Sequence, residues 1–172
     1  MKPENEKRLK KIRRVSNILR VICKVGFAVA ICVFLAAIVA ILSGRGTVSF
    51  AHDSVPIAPL TVSGRLLLAG ATVLLLAVGL KAFYHLFRLL GNYGRGDIFT
   101  SENARHIRQL GLTVLLWYGA NVLWAITAAA VEPTPFSIRF HSDSLVTGPI
   151  IIAISWFMEM AAEMREESEL TI

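Results

Sequence analysis

An all-α integral membrane fold with four transmembrane helices is predicted from three observations. Four apolar blocks, over residues 25–42, 66–87, 110–131 and 145–162, are each close to the ~20 residues that cross ~30 Å of hydrocarbon. The chain is 55% hydrophobic and 17% charged, where a soluble domain carries about 25% charged residues. The apolar residues also fall in blocks rather than at the spacing of a soluble amphipathic bundle. In lipid each block must satisfy its own N–H and C=O groups, which makes each a helix. One domain over 25–162 accounts for all of them.

Charge orients this domain. Of 18 Lys and Arg residues, nine lie in the arm before the first block, from Lys2 to Lys24. Lys81, Arg88, Arg95, Arg105 and Arg108 flank the middle connection, and Arg165 lies in the tail. The other two connections hold only Arg45, Arg65 and Arg139. Lys/Arg bias in short loops sets topology. Both termini and the middle connection are therefore predicted cytoplasmic, with the loops 43–64 and 132–144 outside.

In the arm, 1–24, Leu9, Ile12, Val15, Leu19 and Ile22 recur near helical spacing between basic faces. This predicts a basic amphipathic cytoplasmic helix lying in the headgroup layer, held by about 1 kcal/mol per basic residue. The alternative is a docking site for an acidic partner. The basic region is long and no small-x-small site closes the first block, so it reads as a retained anchor rather than a cleaved signal. Cys23 and Cys32 stand nine positions apart on opposite faces, about 13 Å along the axis, and cannot bridge each other. They read as small hydrophobes.

Gly26, Ala36, Ala37 and Ala40 in the first block, and Gly70, Ala71, Ala77 and Gly79 in the second, allow close helix approach. In the outer loops, 47–50 and 136–140 alternate polar and apolar residues. They predict a small extracytoplasmic antiparallel pairing of one loop with the other. In the middle connection, Gly91, Gly94 and Gly96 end the second helix. Thr100 then reads as an N-cap, with Glu102 in the first turn and Asn103 where a capping box has Glu or Gln. Ile98 and Phe99, apolar in a polar loop, are expected to tuck beneath the helices as a plug. Residues 163–172 form an acidic cytoplasmic tail.

Two motifs carry a family resemblance. Residues 96–111 read Gly-x-Ile-Phe-Thr-x-Glu-Asn-Ala-x-x-Ile-Arg-x-x-Gly, and the chain ends in an acidic stretch closed by Leu-Thr-Ile. Both resemble the bacterial domain-of-unknown-function family numbered 2975, four-span membrane proteins. Ser168 stands where a second amide or acid is usual, and the arm is unusually basic. Members are often encoded beside a small helix-turn-helix regulator, so the resemblance implies a regulatory partner. It implies no catalytic residues, because the family has none assigned.

Polar residues inside the blocks are the remaining candidates. Asn121 lies mid-span between Trp117 and Trp124, where an interhelical hydrogen bond is the structural alternative to a site. Lys81 and Glu159 are expected to pair, since a lone charge costs about 2.5–3.5 kcal/mol at the bilayer centre. Glu163 follows Glu159 by one turn, and this acidic pair is the only hint of an ion relay. His52, Asp53, His141 and Asp143 lack metal-ligand spacing and read as solvated loop residues. No nucleophile, zinc, P-loop or dinucleotide motif is present. Positive-inside charge explains the basic balance without nucleic acid.

The sequence thus reads as a bacterial inner-membrane protein, non-enzymatic, with no cofactor, contacting the lipid bilayer. Its cytoplasmic face is expected to bind a partner such as a helix-turn-helix regulator through Arg95, Arg105, Arg108, Glu163, Glu166, Glu167 and Glu169. The alternative is a small transporter or channel subunit, which charged residues facing a wet cavity would favour. In intact cells an impermeant thiol reagent is expected to label a cysteine placed at Ser142 and to spare one at Ser101. The reverse pattern would invert the topology.

Overall fold

The computed structural model describes residues 3–50, 53–131 and 143–170, with side chains described over 14–48, 55–131, 145–164 and at Glu167. Its elements are α1 (Pro3–Ser43), β1 (Thr47–Phe50), β2 (Asp53–Pro56), α2 (Val62–Arg95), α3 (Ser101–Val131) and α4 (Asp143–Leu170). Four segments within these helices are long and apolar enough to cross a membrane: Arg14–Ser43, Val62–Arg95, Ser101–Val131 and Leu145–Met164.

Among the described residues, extensive helix packing joins neighbours in sequence: α1 to α2, α2 to α3, and α3 to α4. The helices therefore form a row rather than a closed bundle. Val29, Val33, Leu35, Leu116, Phe157 and Met160 are among the many exposed apolar side chains. In hydrocarbon such side chains face their own solvent.

The arm is not a separate helix. It continues into the first span as one helix of 41 residues, about 61 Å long at 1.5 Å per residue. No Gly or Pro interrupts the chain from Glu4 to Val25, so nothing breaks it. Side-chain contacts hold α1 alongside α2. The Ser16 hydroxyl donates to the Leu90 carbonyl at 2.6 Å. Phe27 meets Phe83 and Phe87 edge-on at 5.3 and 5.7 Å.

β1 pairs antiparallel with β2, Thr47 opposite Pro56 and Phe50 opposite Asp53. The partner of Thr47–Phe50 is thus its own loop; alternation identified the strand but could not identify its mate. Residues 136–140, and the side chains of His52, Asp53, His141 and Asp143, lie outside the described residues. Beneath the hairpin, Ile41, Val48, Val55, Ile57 and Leu60 join Leu68, Leu75, Ala120 and Trp124 in one core. One polar link crosses it: Trp124 Nε1 donates to Thr72 Oγ1 at 3.3 Å, and Thr72 donates to the Leu68 carbonyl at 2.8 Å.

α3 and α4 meet at two glycines. A Cβ on Gly111 would stand 2.7 Å from Ile152 Cγ1 and 2.9 Å from the Gly148 carbonyl oxygen. Backbone cannot yield as a side chain does, so Gly111→Ala is expected to force the helices apart, at about 1–3 kcal/mol. A Cβ on Gly119 meets nothing within 4 Å. Thermal unfolding in detergent should therefore show a lowered midpoint for Gly111→Ala and none for Gly119→Ala. Equal midpoints would exclude close packing at Gly111.

Candidate functional site

The α2–α3 turn concentrates the buried polar bonds. α2 closes on Gly96, whose φ of 97° is left-handed. The Gly96 N–H donates to the Tyr93 carbonyl and the Asp97 N–H to the Asn92 carbonyl, both at 3.1 Å. Gly91 and Gly94 lie inside α2, so Gly96 alone ends the helix. Gly94 serves packing: a Cβ there would lie 3.4 Å from Asn17 Oδ1 and 3.8 Å from Ser16 Oγ of α1.

Thr100 caps α3, its Oγ1 accepting the Asn103 N–H at 3.3 Å. Asn103 does not reach back as a capping box would. Its Nδ2 donates to the carbonyls of Asp97 and Ile98 at 2.5 and 3.0 Å. Its Oδ1 accepts from Asn92 Nδ2 at 2.7 Å. Asn92 Oδ1 in turn accepts from the Arg95 guanidinium. Asn103 is 0% exposed and Asn92 3%, so one side-chain chain ties both helix ends to the turn backbone. Arg95 also lies 3.6 Å from Asp97, with their side chains 68% and 59% exposed. Phe99 is 47% exposed, so it is no plug; Ile98 alone is half-buried.

About one turn further along α3 and two along α2, His85 and His106 join the two helices, Nδ1 to Nδ1 at 3.0 Å. Such a bond needs an N–H on one ring and a lone pair on the other. Glu102 stands 3.6 Å from the far nitrogen of His106. Among the described residues, no group of three or more His, Cys, Asp or Glu side chains converges as metal ligands would. Cys23 and Cys32 are free thiols, half-buried and exposed.

The other candidates are placed as follows. Asn121 donates to its own helix, to the Trp117 carbonyl at 2.7 Å, rather than across helices. Arg105, Arg108, Glu163 and Glu167 are exposed, while the side chains of Glu166 and Glu169 lie outside the described residues. Lys81 and Glu159 are both exposed and form no ion pair among the described residues. They sit on α2 and α4, which do not pack closely. Gly79 abuts Trp117, whereas Gly111 abuts Ile152. Carried along the helices, those contacts separate Lys81 from Glu159 by about 16 Å of axial rise. Sequence reasoning missed Ser16, Thr72, Asn92, His85 and His106. Asn92 and Asn103 bracketing the Gly96–Thr100 turn were the available signal.

Asn103→Ala removes both donors to the turn and leaves Asn92 without its acceptor. Unsatisfied buried groups cost about 1–3 kcal/mol each. The variant is expected to unfold at a lower midpoint and to be cut faster by protease between Gly96 and Phe99. Unchanged cleavage would show that the amide does not hold the turn.

No curated protein and no solved structure matches the chain. Residues 47–172 match the family described as a protein of unknown function, DUF2975, a stretch that takes in β1, β2, α2, α3 and α4. Both the 96–111 turn motif and the acidic ending fall within it. The chain belongs to the DUF2975 family, as a member with four helices long and apolar enough to cross a membrane.

Proposed function

We propose that this is a non-enzymatic protein of the bacterial cytoplasmic membrane whose α2–α3 turn and α4 end bind a cytoplasmic protein, a helix-turn-helix regulator being the kind of partner the family resemblance implies. The observation that carries this reading is an immobilised turn with its exposed groups facing outward. Asn103 and Asn92 are buried and bonded, while Phe99, Arg95 and Asp97 remain exposed around them. Exposed aromatic and Arg side chains are the residue types enriched in interface cores.

The register of α4 supports the same face. With Ile152 beside Gly111, Glu163 comes level with the first turn of α3. The helix then continues to Leu170, about 10 Å further. Its acidic end thus stands near the basic turn, and such a mixed patch suits a charged protein and salt-sensitive association.

Two variants test the reading. Truncation after Met164 removes only residues past the last apolar segment, and Phe99→Ala removes an exposed ring. Each is expected to lose at least about tenfold of partner retained in a low-salt pull-down, as loss of a hot-spot contact does. The unfolding midpoint should stay unchanged. Full retention by both variants would exclude this face. If the intact protein retains no partner and reconstituted vesicles show solute flux, the transporter reading replaces this one.

A further inference from the structure

An open-sided groove of about 490 Å³ runs between α2 and α3, lined by Leu74, Val78 and Lys81 on one helix and by Leu112, Leu116 and Gly119 on the other. Its size falls within the ~300–1,000 Å³ of small-molecule sites. Gly119 lines it, and nothing lies within 4 Å of where a side chain there would begin. We propose that this groove binds an anionic phospholipid, with an acyl chain along the leucines and the headgroup phosphate at Lys81.

The charge distribution selects this occupant. Lys81 is the one charged residue lining the groove, is exposed, and forms no ion pair with the described residues. It lies six positions from Phe87, at the end of the apolar block, about 9 Å along the axis. A lysine stem reaches toward the interface from there. Helical period extends the Lys81 stripe to Arg88 and the Leu112 stripe to Arg108 and Arg105. All three arginines are exposed. Arg88 sits over the Tyr84 ring, 5.7 Å from its centroid.

Among the described residues, positive charge therefore borders the end nearer the α2–α3 turn, and no acid lines the walls. A partner helix would fill the apolar length but would have to bring its own buried anion. An anionic phospholipid has a negative head and an apolar chain in that order and spacing, and basic recesses between transmembrane helices hold such headgroups. Arg105 and Arg108 are then shared with the lipid, leaving Arg95, Phe99 and the α4 end for a protein partner.

The test uses the full chain in nanodiscs of equal parts phosphatidylglycerol and phosphatidylcholine with matched acyl chains. The protein is extracted gently and its retained lipid quantified by mass spectrometry. Phosphatidylglycerol is expected to be enriched about fivefold, the effect of one favourable charge near the surface. Lys81→Met and Lys81→Gln should each bring the ratio near unity. Gly119→Leu, which fills the groove, should lower retention of both lipids with the monodisperse elution profile unchanged. Equal retention by the parent chain, enrichment that survives loss of Lys81, or a homodimer without lipid selectivity would each overturn the proposal.

Discussion

A helix in hydrocarbon gains little by touching another helix through leucines, because lipid tails offer the same contact. Association must come from close backbone approach and from polar bonds. This chain has both at a small number of places. Ser16 and Gly94 hold α1 to α2. Thr72 with Trp124, and Asn92 with Asn103, hold α2 to α3. Gly111 and Gly148 hold α3 to α4. Each contact joins neighbours in sequence, so the helices stand in a row with broad apolar surfaces turned outward.

α3 is the common element of that row, and it sets two registers. Against α2 it is tied along its length, from Asn103 at the turn to Trp124 beneath the hairpin. Against α4 the contact at Gly111 and Ile152 slides the fourth helix toward the turn. This displacement separates Lys81 from Glu159, and it also brings Glu163 level with the start of α3. One close glycine contact therefore decides which charges can meet and which are left to other partners.

The spans, the middle turn and the Thr100 cap were legible because each leaves a local signature: a long apolar block, a left-handed glycine, a hydroxyl before a helix. Long-range facts were not. Alternation over Thr47–Phe50 marks a strand without naming the strand opposite. An apolar stripe between basic residues fits a helix in the headgroups equally well as the lower half of a long helix packed on α2. Complementary charge suggested Lys81 with Glu159, but sequence spacing holds no information on the offset of α4. Asn103 was found as a capping position, yet its target, the carbonyls of Asp97 and Ile98, depends on how the turn folds back.

Besides the polar side chains that bond between helices, others in the described spans are settled within their own helix, and the difference bears on what the membrane part can do. Thr72, Thr113, Asn121 and Thr127 each donate to the carbonyl four residues earlier, on Leu68, Gln109, Trp117 and Leu123. Ser155 does the same three residues back, to Ile152. Each of these donors finds an acceptor within its own helix. A hydroxyl proton can be settled this way because one acceptor answers one donor. An ammonium cannot, since its charge still calls for a counter-ion or the interface. Lys81 on α2 and Glu159 on α4, both exposed, are thus charges whose needs their own helices cannot meet.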